Sequence, residues 1–134
     1  MPALDDRRVL LLGAETDLGA ATATALASAG ARLALVSASR DAEAAFAVQR
    51  LARRLGATSQ AIDATNEAAV RVMVRQVSKE MGGVEAAVFC AADVMARELF
   101  ERHARREMKR IGDGLYIDAM VTLDVVAAIA GERE

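Results

Sequence analysis

The run Val9-Leu10-Leu11-Leu12 is short, unbroken and apolar, and it ends at Gly13. No other stretch restricts the fold as much. A run of this kind fits a strand buried on both faces, as in a parallel sheet. The alanine-rich stretch 18–29 follows and stops at Gly30, which fits a helix with a glycine end. The residues Arg32–Ser37 then read as a second strand. Strand, tight turn, helix and strand therefore occupy the first quarter of the chain.

The same alternation continues. Asp41 can cap a helix over Ala42–Leu55 that Gly56 stops. Residues 58–63 read as a third strand. Asn66 can cap a helix over Glu67–Met81, stopped by Gly82-Gly83. Residues 84–90 read as a fourth strand. A β-α-β-α-β-α-β order with helical crossovers argues for a three-layer α/β fold. We expect a parallel sheet with helices on both faces.

The tail, 93–134, has a different character and is expected to be helical. Residues 94–111 mix apolar and charged positions, which suits an amphipathic helix or a helix plus loop. The run Arg97 to Arg110 mixes both signs, which reads as a solvated helix face rather than a nucleic-acid patch. Gly112-Asp113-Gly114 should bend or break it. Residues 115–130 are apolar on most sides, so a helix there needs burial on more than one face.

One domain covering 1–134 is expected from the length. Hydrophobic residues make up 54% of the chain and aromatics 3%, so the core must be built of Ala, Val and Leu. The net charge of −2 gives no reason to expect nucleic acid or an anionic membrane as partner. A single cysteine, Cys90, excludes an internal disulfide. Without neighbouring His, Lys or Arg in sequence, it reads as a buried strand-end residue. His103 has no second His or Cys cluster beside it, so no metal site is expected. The chain shows no basic–apolar leader, and its apolar runs fall short of the ~20 residues of a membrane span. A soluble cytoplasmic protein is expected.

With these elements placed, the chain resembles the short-chain dehydrogenase/reductase family over essentially its whole length. That family carries the turn T-G-x-x-x-G-x-G after its first strand. The corresponding residues are Leu12-Gly13-Ala14-Glu15-Thr16-Asp17-Leu18-Gly19. The stretch AIDATNEAAVRVMVRQVSKEMGGVEAAVF matches its third strand, third helix and fourth strand, and 107–129 looks like the long helix that follows. Together with the alternation, the resemblance implies a Rossmann-like sheet in the order 3-2-1-4 and an NAD(P)-binding site formed by Gly13, Thr16, Asp17, Leu18, Gly19, Arg40, Asp63 and Ala91.

The departures are as informative as the matches. Gly13 and Gly19 stand, but the middle glycine of the turn is Asp17. The family's N-N-A-G reads Phe89-Cys90-Ala91-Ala92. Its catalytic Asn falls near Leu115, and its catalytic Ser and Tyr-x-x-x-Lys pair have no counterpart. The single tyrosine, Tyr116, has Met120 four residues on.

Each candidate admits two readings. The turn can present backbone N–H groups to a pyrophosphate, or Thr16 or Asp17 can cap the helix and use those groups itself. Asp17, with Glu15 nearby, sets negative charge against a phosphate. The end of the second strand, Ser37-Ala38-Ser39-Arg40, has no acid for the ribose hydroxyls of NAD. Arg40 there either favours the 2′-phosphate of NADP or is a solvated loop residue. Asp63 either meets an adenine or turns the loop that follows.

The expected function is that of a degenerate family member acting as an interaction or scaffold module, without hydride transfer and with weak or absent NADP binding. The alternative is an NAD(P)-binding oxidoreductase or cofactor-sensing module completed by another chain. No catalytic residue is assigned. A bare fourth-strand edge and the apolar 115–130 helix lead to an expected homodimer, or tetramer of dimers, through that C-terminal helix.

Overall fold

A computed structural model of the chain describes residues 4–112 and 114–120. Among these described residues, five strands form one sheet: β1 (Arg8–Leu12), β2 (Arg32–Ser37), β3 (Thr58–Ala61), β4 (Ala86–Phe89) and β5 (Leu115–Asp118). Four helices connect them: α1 (Asp17–Ser28), α2 (Ala42–Leu55), α3 (Glu67–Met81) and α4 (Val94–Met108). The order is β3-β2-β1-β4-β5, and every pairing is parallel.

The apolar run in β1 faces both ways, as its pattern requires. Leu10 and Leu12 pack with Val36, Phe89, Met73, Val74 and Phe100 under α3 and α4. Val9 and Leu11 pack with Leu33, Leu35, Val48 and Leu51 on the side of α1 and α2. The expected three layers are present. The helix ends are where the polar residues place them. Thr16, Asp41 and Asn66 each accept a backbone N–H at the start of α1, α2 and α3. Gly56 and Gly82 close α2 and α3 in the left-handed conformation.

The tail differs from the expectation in three ways. First, residues 115–118 are strand, not the opening of a helix. Second, β4 is therefore not an edge: Ala86, Ala87, Val88 and Phe89 pair with Leu115, Tyr116, Ile117 and Asp118. Third, helix α4 stops at Met108, so 107–129 is not one long helix, and Leu115 opens a strand rather than carrying a helical site residue.

The reason lies in a period of two. Tyr116 turns toward α4, with its ring 6.1 Å from that of Phe100. Leu115 and Ile117 face the other way and are exposed. Four residues followed directly by more apolar sequence hide this alternation, because a short strand and a buried helix look alike there. Gly114 lets the strand start close to α4, since a side chain at that position would collide with Met108. Ala119 and Met120 are helical. The remainder of the expected helix, 121–130, lies outside the described residues.

The charged stretch in α4 is not wholly solvated either. His103 and Glu107 are buried in the seam with α3. Glu107 pairs with Arg75 at 3.6 Å and Arg110 at 3.7 Å, and His103 Nε2 lies 3.4 Å from Glu67.

Candidate functional site

In an open parallel sheet, ligands bind beyond the carboxyl ends of the strands, where the strand order reverses. Here that point lies between β1 and β4, with β2 and β3 on one side. The expected site residues fall at these ends: Gly13 to Gly19 after β1, Arg40 after β2, Asp63 after β3 and Ala91 after β4.

The turn after β1 is held from inside. Gly13 has φ +97°, a conformation that glycine adopts without strain. A Cβ on Gly13 would lie 2.8 Å from the Cys90 carbonyl carbon and 2.9 Å from the Ala91 nitrogen. The turn thus sits directly on the end of β4. Gly19 in turn lies against the Gly13 carbonyl, with no space for a side chain. Thr16 ties these parts together. Its hydroxyl donates toward the carbonyls of Gly13 (2.8 Å) and Cys90 (3.0 Å) and accepts from Gly19 N–H (2.9 Å).

Thr16 is therefore the helix cap, and Asp17 is the first helical residue, exposed at the positive end of α1. Leu18 is half-buried behind it. The Gly19 N–H, one of those a phosphate would use, is already taken by Thr16.

Glu15 was legible only as a nearby carboxylate, and its position is the main surprise of the site. The side chain crosses to the end of β2, where its two oxygens lie 3.1 and 3.3 Å from Ala38 N–H. Sequence separation hides this contact, because it exists only once the turn has folded over the sheet. A groove of about 530 Å³ opens beside it, lined by Glu15, Thr16, Asp17, Arg50 and Arg54 among others.

Arg40 is exposed on the loop after β2. Asp63 turns its own loop, accepting from Thr65 N–H (3.0 Å) and the Thr65 hydroxyl (2.6 Å). These bonds, hydroxyl first, hold its carboxyl below the usual range, with a smaller contribution from the Arg40 charge. No hydrogen bond or ion pair joins Asp17, Arg40 and Asp63 to one another among the described residues.

On the other side, Ala91 is buried and presents only a methyl group. Cys90 is buried too, and burial pushes its thiol up to about 11, with a Thr22 hydrogen bond opposing and the charges of Asp118 and Glu15 adding. At the end of β5, Asp118 lies 3.6 Å from Arg97 and accepts from Met120 N–H at 3.0 Å. Asp93 caps α4 through Ala96 N–H at 2.9 Å. Its place just before an amphipathic stretch is the sequence signal for that role. No group of three or more His, Cys, Asp or Glu that could hold a metal is found among the described residues. Likewise, no helix among them is long and apolar enough to cross a membrane.

The frame therefore fits the backbone cradle of a dinucleotide pyrophosphate: two glycines at close approach and a helix start pointing at the strand ends. Its rim does not favour one, because Glu15 and Asp17 place two carboxylates there.

Fold and turn together define a Rossmann-like domain. The family model described as enoyl-(acyl carrier protein) reductase matches residues 13–125, and the chain belongs to this family of short-chain dehydrogenase/reductases. No curated protein matches the sequence.

Among solved structures, a short-chain type dehydrogenase/reductase from Mycobacterium ulcerans is similar, with 26% identity and a TM-score of 0.75, covering 87% of this chain and 51% of that one. A second, from Mycobacterium marinum, has 27% identity and a TM-score of 0.73, with coverages of 86% and 56%. A NAD+-bound xylitol dehydrogenase shares the fold at 22% identity and a TM-score of 0.75, covering 86% of this chain and 53% of that one. The chain spans about half the length of these relatives.

Proposed function

We propose that this chain is a degenerate family member that transfers no hydride by itself and serves as an interaction module with a weakened dinucleotide site. The observation that carries the reading is the turn after β1. Its internal bonds through Gly13, Thr16 and Gly19 are intact, while carboxylates stand on its rim. The frame is kept for the fold, and phosphate binding loses.

A bound NAD(P)H would supply the hydride to a carbonyl carbon; the chain would have to supply the proton to its oxygen. The one tyrosine, Tyr116, is turned onto α4, between Phe100 and Arg105. Burial raises its phenol further from neutrality, and no lysine stands four residues on. Such a group is a poor proton donor or base. Arg40 is the residue that would favour NADP.

The reading includes a homodimer, or a tetramer of dimers, seated on the segment that follows β5. The apolar residues Met120, Val121, Leu123, Val125, Val126 and Ile129 support it. So does the exposure of Leu115 and Ile117 on the outermost strand. The single buried cysteine suits a cytoplasmic setting.

The second reading, an oxidoreductase completed by another chain, is favoured by the family match and the half-length coverage of relatives. Two measurements separate the readings. NADPH fluorescence titration should show binding weaker than micromolar, and carbonyl substrates should give no steady NADPH consumption. Turnover abolished by a substitution within this chain would reverse the conclusion.

A further inference from the structure

The end of β2 has no acid of its own, yet it carries a carboxylate. Glu15, projecting from the turn after β1, holds its oxygens 3.1 and 3.3 Å from the Ala38 N–H. In dinucleotide-binding folds this strand end meets the adenosine ribose, and an acid there accepts from the ribose hydroxyls. A carboxylate offers about four acceptor positions, so one N–H leaves most of them open. The same charge repels a 2′-phosphate, which carries nearly two negative charges at neutral pH.

We propose that Glu15 selects the nucleotide at this site, replacing the missing strand-end acid from the opposite loop and favouring NAD over NADP. The proposal rests on the weakened dinucleotide site described above. It also reverses the preference that Arg40 alone implies. Arg40 is exposed and forms no ion pair among the described residues, so its pull on a phosphate is screened by solvent. Glu15 is half-buried, and its anchoring on Ala38 fixes its charge at the strand end.

The test compares NAD+ and NADP+ affinities by calorimetry at low salt, in the unchanged chain and in Asp17→Gly, each with and without Glu15→Gln. Glutamine keeps an oxygen for Ala38 N–H, removes the charge and replaces the second acceptor oxygen by an N–H donor. NAD+ should bind more tightly than NADP+ when Glu15 is present. Glu15→Gln should narrow that ratio by about tenfold, mainly by strengthening NADP+.

Tighter NADP+ binding with Glu15 present, or a ratio unmoved by Glu15→Gln, overturns the assignment of Glu15 and leaves the nucleotide site standing. No binding of either nucleotide, even in Asp17→Gly, removes the site itself and Glu15's role with it. If Glu15→Gln does not fold, a salt series on the Glu15-containing chain decides. Between ~0.01 M and ~1 M salt the Debye length falls from about 30 to about 3 Å, so the NAD+ preference should shrink. A preference that stays constant over that range would count against a charge-based selection.

Discussion

Gly19, in the first turn of α1, rests against the carbonyl oxygen of Gly13, leaving no volume between them for a methyl group. The Gly13 carbonyl is also the acceptor for Thr16 N–H at 3.1 Å and for the Thr16 hydroxyl. Replacing Gly19 by Ala would push helix and turn apart and break both bonds. Overpacking of this kind costs about 1–3 kcal/mol, and the rigid backbone on both sides puts Gly19→Ala at the upper end. Thermal unfolding followed by circular dichroism should show a drop of several degrees. An unchanged midpoint would mean that the turn is looser than described.

Thr16 joins three backbone groups with one hydroxyl, so its removal should cost more than a cap on an exposed helix. Thr16→Ala is expected to lose about 1–2 kcal/mol, while Thr16→Ser should stay near the unchanged protein. Urea unfolding of the two variants side by side checks the order. Equal losses would assign the effect to the methyl group instead.

Asp17 contributes to α1 through its charge at the helix start, worth about 0.3–1 kcal/mol. Asp17→Gly should therefore be slightly less stable yet bind NAD(P) about tenfold more tightly, since a carboxylate leaves the phosphate path. Nucleotide affinity and melting temperature should move in opposite directions. A variant that loses stability without gaining affinity would show that the frame cannot accept a pyrophosphate.

At the opposite end of the sheet, Glu85 pairs with Arg7 at 2.9 Å and Arg8 at 3.0 Å. Arg8 also reaches the Gly82 carbonyl. The hydrogen bonds from Arg8 and then Arg7 pull the Glu85 carboxyl from its usual 4.5 down to about 2. Because its folded value lies below its unfolded one, its contribution is full above about 4.5 and is lost as pH falls toward about 2. Glu85→Gln should flatten the acid side of the stability profile within that window and change little at neutral pH beyond the loss of the pair itself. Identical acid slopes in the two proteins would refute the assignment.

Changing Met120 and Val121 to Asp should convert a dimer or tetramer to monomer in sedimentation at tens of micromolar, if the segment after β5 is the seam. An unchanged oligomer would direct attention to the outer edge of β5. A monomer in the unchanged protein would remove the assembly altogether.

The legible parts of this fold were those with local signals. Val9–Leu12, the caps at Asp41 and Asn66, and the glycine stops at Gly56 and Gly82 each announce themselves within a few residues, and the structure has them in those roles. Strand β5 did not, because its alternation is four residues long and continues into apolar sequence. In the site, the cap was readable as Thr16 or Asp17, and the structure gives the role to Thr16. The reach of Glu15 to Ala38 was not, since it joins two loops 23 residues apart through the fold alone. His103 and Glu107 misled for a related reason: a charged helix conceals which of its faces another helix covers.

The central position of β1 also has a consequence for synthesis. It leaves the ribosome before the other described strands, and β2 follows soon enough to cover one of its edges. The other edge waits for β4, and Glu85, which bonds the start of β1, lies 77 residues downstream of Arg8. At about 5–20 residues per second, that interval is on the order of 4–15 s. Throughout it, the apolar run Val9–Leu12 has unpaired backbone on one side. A nascent chain built in this order gives a chaperone that recognises exposed apolar segments its longest opportunity at Val9–Leu12.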